Sequence, residues 1–391
     1  MNWALARLIA GQVCIHACMA GMHMAASLLA LRDGYSAAAV GVLLALFALT
    51  QVFLALPAGR YADRHGLKRP VGFSVAVASA GAALALVFPV FPVLCLAALM
   101  TGGATGAATI ALQRHVGRAA HDSTQLKQVF SWLAIGPAVS NFIGPFCAGL
   151  MIDHAGSAAG STEGYRAAFA LMAILPLLTW FWVRDTVELP PVIAAAGGPP
   201  QRAWDLMNEP PFRRLLIVNW LLSSCWDVHT FVVPLLGHER GMSASVIGSI
   251  LGGFAIAAAV IRVLMPLVAE RLRERVVVAG AMAITAVLLG VYPLLPSALA
   301  MGLCSVLLGL ALGAVQPMIL VVLHRISPEA RQGEAMALRV MTINSSSFVL
   351  PMMFGSIGAV TGVAGLFWLV AAVLAVGSRS VPKLRDVQPH G

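Results

Sequence analysis

The sequence has very little charge for its length. Only 10% of its 391 residues are Asp, Glu, Lys or Arg, whereas 59% are hydrophobic. A soluble domain carries roughly 25% charged residues, so this composition excludes an ordinary soluble globular protein. The apolar residues form runs of roughly 18 to 25 residues, the length that a helix needs to cross the hydrocarbon core of a bilayer. We therefore predict an all-α membrane protein.

The sequence also lacks the short motifs of common enzymes. It contains no phosphate-binding loop, no zinc-protease helix and no Gly-x-Ser-x-Gly elbow, so we predict neither an enzyme nor a cofactor. Its few cysteines all fall within the apolar runs, where they are typical of small buried hydrophobes rather than of a disulfide set. They are Cys14, Cys18, Cys95, Cys147, Cys225 and Cys304.

Twelve apolar runs are divided in the middle by one long polar stretch. Residues 184–214 are rich in proline, glycine and charge, which is typical of a linker. We predict an N-terminal six-helix bundle over residues 1–186, a cytoplasmic linker over 187–211 and a C-terminal six-helix bundle over 212–391.

The two halves repeat each other. A shift of 207 residues aligns Cys18 with Cys225 and Gly34 with Gly241. A parallel repeat of six spans implies two pseudo-symmetric bundles related by an axis along the membrane normal, with a site at their interface near mid-depth.

The basic residues give an orientation. With the N-terminus placed inside, all but four of the 25 lysines and arginines fall on the cytoplasmic side. The four exceptions are Arg32, Arg166, Arg240 and Arg262. This positive-inside asymmetry predicts a multi-pass protein of the plasma (inner) membrane with both termini in the cytoplasm. Because the net charge of +9 is divided among short loops, we do not expect a nucleic-acid partner.

The loop after the second predicted span reads GRYADRHGLKRP, residues 59–70. It resembles the signature loop of the major facilitator superfamily, and the matching residues are Gly59, Asp63, Arg64, Gly66, Lys68 and Arg69. The resemblance implies a twelve-helix fold, a transport role and a cytoplasmic gate. It also implies that Asp63 lies against the positive N-terminal end of the eleventh span.

A second stretch, GPAVSNFIGPFCAG at residues 136–149, lies in the fifth span. Its Gly144, Pro145 and Gly149 resemble the antiporter motif of drug–proton exchangers, although Ala148 stands where that motif usually has glycine. The resemblance implies efflux. The alternative is a packing kink, because proline removes a helix hydrogen bond and glycine permits close helix approach.

Asp227 lies within the seventh predicted span. A charge at bilayer depth costs at least ~2.5–3.5 kcal/mol, so such a residue usually faces a cavity or a partner. We predict that Asp227 carries protons, together with His16, His23 and Arg262; the alternative is a structural ion pair or helix-to-helix hydrogen bond. We expect the Arg262 side chain to extend to the cytoplasmic face, or otherwise to be the counter-ion of Asp227 or of an anionic substrate.

Two polar stripes at helical spacing are repeat mates of each other. Span one contributes Gln12, His16, Met19 and His23, and span seven contributes Asn219, Ser223, Trp226 and Thr230. Such stripes are typical of helices that face a common cavity. We predict that Gln12, Met19 and the span-seven stripe line a substrate cavity, with Gln316 and Asn344 as further candidates. His229 points away from Asp227 around the helix, so it is a poor partner for that carboxylate.

Together these features predict a monomeric secondary transporter that exports a small organic solute by alternating access, coupled to protons. Two alternatives stay open. One is proton-coupled uptake. The other is transport of copper or zinc, since span one holds several soft or borderline ligands. Those ligands spread around the helix, so we predict no metal site.

Overall fold

The computed structural model describes residues 3–120, 122–155, 161–190, 202–242, 244–268 and 273–378, although no side chain is described at residues 37, 38, 231, 234, 235, 238, 244, 245, 248, 268 and 347–363. Within these ranges the chain is helical apart from turns and short loops. The α-helices are Trp3–Arg32 (α1), Ala37–Phe53 (α2), Ala55–His65 (α3), Lys68–Val87 (α4), Phe91–Arg118 (α5), Ser123–Leu133 (α6), Ile135–His154 (α7), Thr162–Val183 (α8), Pro210–Glu239 (α9), Ala244–Val268 (α10), Glu274–Val291 (α11), Ala298–Ile326 (α12) and Gln332–Ser378 (α13).

Polar caps and left-handed glycines set several helix boundaries. The side chains of Ser36 and Asp122 accept hydrogen bonds from backbone amides in the first turns of α2 and α6. These caps satisfy amides that have no partner inside the helix. Gly34 and Gly241, which the repeat aligns, both adopt positive φ (84° and 68°), a conformation that glycine reaches without a Cβ clash. The repeat therefore extends to the backbone of two corresponding turns.

Most of the helices have the length and polarity of membrane spans. Within the described ranges, eight helical segments are long and apolar enough to cross a bilayer, and the count is nine when α2 and α3 are taken as one bent span. The bend between α2 and α3 is 46°. The 47 residues of α13 cover the eleventh and twelfth predicted spans, residues 335–358 and 363–378, together.

Two compact units divide the chain. Unit 1 comprises Met1–Ala119, Ile135–Gly198 and Glu329–Asn344, and unit 2 comprises Ala120–Ala134, Pro199–Pro328 and Ser345–Gly391. Unit 1 thus holds α1–α5, α7, α8 and the beginning of α13. The bundle boundaries predicted at residues 186 and 212 stay predictions, and residues 191–201 of the predicted linker lie outside the described residues.

Each unit is built around one long helix. In unit 1, α1 packs against α5, α7 and α8; in unit 2, α12 packs against α6, α9, α10 and α11. The unit 1 core is rich in alanine and other small residues, with Met22, Leu29 and Phe169 fully buried among them. Small side chains let membrane helices approach closely, and their packing stabilises the unit where there is little water to exclude.

Candidate functional site

Asp63 lies at the N-terminal end of α13, the position that the family resemblance implied. Its carboxylate accepts hydrogen bonds from the backbone amides of Gly333 (2.8 Å) and Glu334 (3.1 Å). Arg114 on α5 donates from Nε to the same carboxylate at 2.6 Å, and both side chains of this pair are less than one-tenth exposed. Burial disfavours the charged carboxylate, whereas the two helix-start amides and the buried cation favour it and offset part of that cost.

Further ion pairs surround this carboxylate. The Glu334 side chain bridges Arg60 at 2.7 Å and Arg331 at 2.8 Å. We call Asp63, Arg114, Arg60, Gly333 and Glu334 the Asp63 cluster. It joins the chain segment after α2 to α5 and to the beginning of α13, within unit 1.

The signature glycines permit this arrangement. A Cβ added at Gly59 would overlap the carbonyl group of Gly333, so glycine lets α3 and α13 approach closely. Gly66 ends α3 with φ of 76°, a left-handed conformation.

The basic residues of the signature loop differ in their surroundings. Arg64 and Arg69 are exposed. The backbone amide of Lys68 donates to the Glu188 carboxylate at 2.6 Å. Arg64, Lys68 and Arg69 therefore lie outside the Asp63 cluster, although they belong to the same signature loop.

Asp227 lies in the second half of α9, in unit 2. Its carboxylate is half-buried and accepts a hydrogen bond of 2.7 Å from the hydroxyl of Ser346 on α13. A hydroxyl can both donate and accept, so this contact suits a carboxylate and a carboxylic acid alike.

Arg262 on α10 is next to this region. Its guanidinium lies 5.5 Å from the Trp226 ring centroid, a cation–π distance. It also donates to the carbonyl groups of Gly313 and Ala134. The side chain is only 8% exposed, so the expected extension to the cytoplasmic face is wrong. Two backbone carbonyls and an aromatic face hold the cation inside unit 2.

The span-seven stripe contacts several neighbouring helices. Gln316 on α12 donates to the Ser223 hydroxyl at 3.3 Å. Trp226 packs edge-to-face on Phe254, with ring centroids 4.6 Å apart. Asn219 is fully buried, and neither polar atom of its amide has a hydrogen-bond partner among the described residues. Thr230, at the other end, is exposed and bonds back to its own helix.

We call Asp227, Ser346, Trp226, Arg262, Ser223 and Gln316 the Asp227 site. All six side chains belong to unit 2 and come from four helices, α9, α10, α12 and α13.

The span-one stripe belongs to unit 1. Gln12 is buried beside Gly136 on α7, and its Oε1 has no partner in the described part of the chain. His16 is half-buried. The Met19 thioether accepts a hydrogen bond from Gln51 at 3.3 Å, and exposed His23 packs edge-to-face on Phe47. The roles predicted for these side chains in the cavity and in proton coupling stay predictions.

The antiporter-like motif lies along α7. A Cβ at Gly144 would overlap the Ala17 carbonyl on α1, and Pro145 lies inside the helix. Gly149 is in contact distance of Met24. The motif therefore sets a close contact between α7 and α1 within unit 1.

His229 and Asn344, two other polar residues of the predicted spans, both contact hydrogen-bonding groups nearby. His229 Nε2 lies 2.9 Å from the Ser305 hydroxyl, which also contacts the Tyr292 hydroxyl at 2.8 Å. The side chain thus faces α12, away from Asp227, as its helical position predicts. Asn344, a candidate cavity residue, donates to the Val340 carbonyl of its own helix at 2.9 Å.

Sequence reasoning missed two arginines. The charge asymmetry assigned Arg114 and Arg339 only to the cytoplasmic side, but Arg114 is the buried partner of Asp63 and Arg339 is only 5% exposed within α13. Arg339 lies inside the eleventh predicted span, and this position could have indicated that its side chain is buried. The Arg114–Asp63 contact joins residues 51 positions apart, so no local pattern could reveal it.

The metal-transport alternative has no converging set of side chains in the described ranges. There, no group of three or more His, Cys, Asp and Glu residues is placed to hold a metal ion. In span one, Cys18 and Met22 are fully buried in the unit 1 core.

Long apolar helices that carry polar and charged groups in their interior are typical of a multi-pass membrane protein. The family model of the Major Facilitator Superfamily matches residues 8–227 and 215–384. The chain belongs to this superfamily. Its fold is therefore the twelve-helix, two-bundle arrangement, and it transports small solutes rather than catalysing a reaction.

Solved structures share the fold along the whole chain. A bacterial homologue of the iron transporter ferroportin is 16% identical with a TM-score of 0.80, covering 98% of this chain and 99% of its own. The human organic anion transporter MFSD10 (TETRAN) is 15% identical with a TM-score of 0.77, covering 97% and 100%. The proton:xylose symporter XylE is 15% identical with a TM-score of 0.74, covering 97% and 94%. No curated protein sequence matches the chain.

Proposed function

We propose that this protein is a proton-coupled secondary transporter of the drug–proton antiporter type. It exports a small, partly hydrophobic organic solute across the plasma (inner) membrane, with both termini in the cytoplasm. The observation that carries the proposal is the Asp227 carboxylate, half-buried within α9, the helix of the seventh predicted span, and bonded to the Ser346 hydroxyl.

The Ser346 hydroxyl can stay hydrogen-bonded to Asp227 in both protonation states, so proton exchange does not require this contact to break. Ser346 donates to the charged carboxylate and can accept from the protonated acid after rotating its hydrogen, so the contact persists in both states. A charge inside the membrane costs at least ~2.5–3.5 kcal/mol on insertion scales, so its presence favours a functional role. Asp227 is therefore our candidate proton carrier.

The rest of the Asp227 site suits an organic solute. Half-buried Trp226, which packs on the buried Phe254 ring, offers apolar surface for the body of the molecule, while Ser223 and Gln316 provide hydrogen-bonding groups that would orient it. Arg262 adds a cation beside the Trp226 ring, which would favour a solute with a negative or electron-rich group.

Support for export comes from the antiporter-like motif in α7. Gly144 and Pro145 occur together where α7 passes close to α1, as expected if this contact shapes the transport cycle. The structural relatives include a proton:xylose symporter and an iron-transporter homologue. At this low identity they share only the fold, so their substrates do not indicate the substrate of this chain.

The test begins with a substrate panel that includes organic anions, sugars, hydrophobic amines and divalent metal ions. A ligand of the folded state raises its apparent thermal stability, and any hit is then followed in proteoliposomes. We expect a pH gradient to drive uphill movement of the hit by the natural protein. Asp227→Asn should abolish uphill movement but keep exchange of labelled for unlabelled solute, because exchange needs no net proton release.

The matched control is Asp185→Asn. Asp185 is an exposed acid paired with Arg7, and its loss should leave both activities intact. Proton-driven transport by Asp227→Asn at the natural rate would contradict the carrier assignment. Solute and proton moving in the same direction would instead indicate uptake, and a stoichiometric metal ion as the only hit would favour metal transport.

A further inference from the structure

A cavity of about 690 Å³ opens in unit 1 among α2, α3, α4 and α5. Each helix contributes one face. On α4 the lining residues are Pro70, Phe73, Ser74 and Val77, which follow the i, i+3, i+4, i+7 spacing of a single stripe. The volume lies in the range of small-molecule sites, roughly 300–1,000 Å³. The lining shares no residue with the Asp63 cluster or with the Asp227 site.

One polar side chain in the lining of this apolar cavity has no hydrogen-bond partner among the described residues. Ser74 is 1% exposed, and its Oγ makes no hydrogen bond within the described part of the chain. A serine in a helix usually donates to the carbonyl four residues earlier, so an unbonded buried hydroxyl is unusual. A molecule with an acceptor at this level would satisfy it.

Two exposed arginines lie at one end of the same faces. Arg64 is one helical turn beyond the lining residue Tyr61 on α3, and Arg69 is one turn before Phe73 on α4. Neither arginine forms an ion pair with a described residue. The Glu188 carboxylate already accepts from the amides of Leu67 and Lys68, so an anion here would bind the arginine side chains rather than the start of α4.

We propose that this cavity binds one anionic phospholipid. Its phosphate would contact Arg64 and Arg69, an ester carbonyl would accept from the Ser74 hydroxyl, and an acyl chain would lie along Val77 towards Gly103. The spacing fits this order, because Ser74 is five residues, or about 7.5 Å, beyond Arg69 along α4, and Val77 is about 12 Å beyond it. In a bilayer lipid the phosphate, ester and chain follow one another in depth in the same order.

The position of the cavity gives the lipid a regulatory role. Leu54, at the 46° bend between α2 and α3, is part of the lining, and α3 also carries Asp63. A bound chain would limit movement at the bend and so hold the helix that carries Asp63. This inference does not depend on the substrate or on proton coupling.

Lipid binding can be measured directly. The full chain is purified in detergent, stripped of lipid, and titrated with palmitoyl-oleoyl phosphatidylglycerol or with phosphatidylcholine of the same chains. Native mass spectrometry counts the bound lipids. We expect one phosphatidylglycerol to bind about tenfold more tightly than any later lipid, and more tightly than phosphatidylcholine.

Five variants, two of them controls, locate the site. Val77→Trp fills the cavity and should remove the tight lipid, as should the milder Ala107→Leu if the tryptophan prevents folding. Val287→Trp, on the exposed face of α11, is the matched control and should bind lipid like the natural protein. Arg64→Gln combined with Arg69→Gln should remove the preference for phosphatidylglycerol, whereas Arg213→Gln should not.

Two outcomes would overturn the proposal. If the natural protein, Val77→Trp and Val287→Trp bind the same number of lipids with equal affinity, the contacts are those of ordinary surrounding lipid only. If inorganic phosphate competes fully with the lipid, the arginines bind a free anion and the cavity is not an acyl site.

Discussion

Asp63 and Asp227 are both carboxylates shielded from water, but their surroundings differ. Asp63 accepts hydrogen bonds from two helix-start amides and pairs with the buried Arg114, all fixed donors that cannot accept a proton in return. Asp227 bonds to the Ser346 hydroxyl, which can reverse its direction of donation. The first arrangement holds a charge in place, whereas the second tolerates its gain and loss. This difference is the basis for treating Asp63 as a structural acid and Asp227 as the proposed proton carrier.

The largest expected difference between the two acids is in stability. Asp63→Ala would leave the Arg114 guanidinium buried without its partner, and breaking a buried pair in this way costs about 3–5 kcal/mol. We therefore expect a clear fall in the thermal unfolding temperature of the purified protein. Asp227→Asn replaces a carboxylate at membrane depth by a neutral amide of the same shape, and the unfolding temperature should stay the same or rise.

A double variant checks the cause of the first effect. If the unpaired cation is responsible, Asp63→Ala combined with Arg114→Met should be more stable than Asp63→Ala alone. Equal falls for Asp63→Ala and Asp227→Asn would remove the distinction between the two acids.

A smaller effect is expected at the hydroxyl partner. Ser346→Ala removes a donor that favours the charged form of Asp227, so the pH midpoint of proton-driven transport should move upward, by about one pH unit or less. The pH profile in proteoliposomes measures this shift. Ser297→Ala is the control, because it removes a serine cap from α12 outside the Asp227 site and should leave the midpoint unchanged. An unchanged midpoint in Ser346→Ala would show that the hydroxyl does not act on the carrier.

The same comparison shows what sequence could and could not predict. Gly34 and Gly241 were aligned by the repeat, and their positive φ angles agree with that alignment because both turns follow the same local rule. The placement of Asp63 at the start of α13 came from the family resemblance, and the hydrogen bond from the Gly333 amide agrees with it. Its partner Arg114 and the bridging Glu334 could not be predicted, since they come from distant segments that only packing brings together. Burial of Arg262 was mispredicted for a related reason: its acceptors are backbone carbonyls, which carry no sequence signal.

The smallest effect on proton coupling is expected at Gly66, which ends the helix that carries Asp63. Alanine there must adopt φ of 76° and ψ of −140°, a region that favours glycine, at a cost of roughly 1–3 kcal/mol, and its Cβ would meet the Glu188 carboxylate unless that side chain moves. We expect a modest fall in the unfolding temperature with an unchanged ratio of protons to solute, because the change lies in the structural region and leaves the Asp227 site intact. Gly241, at the turn that the repeat aligns with Gly34, has a φ of 68° and no described atom within 4 Å of an added Cβ, so Gly241→Ala should cost only the backbone strain. A Gly66→Ala variant that altered the coupling ratio would show that the two acids are not independent, since a change near the structural acid would then reach the carrier.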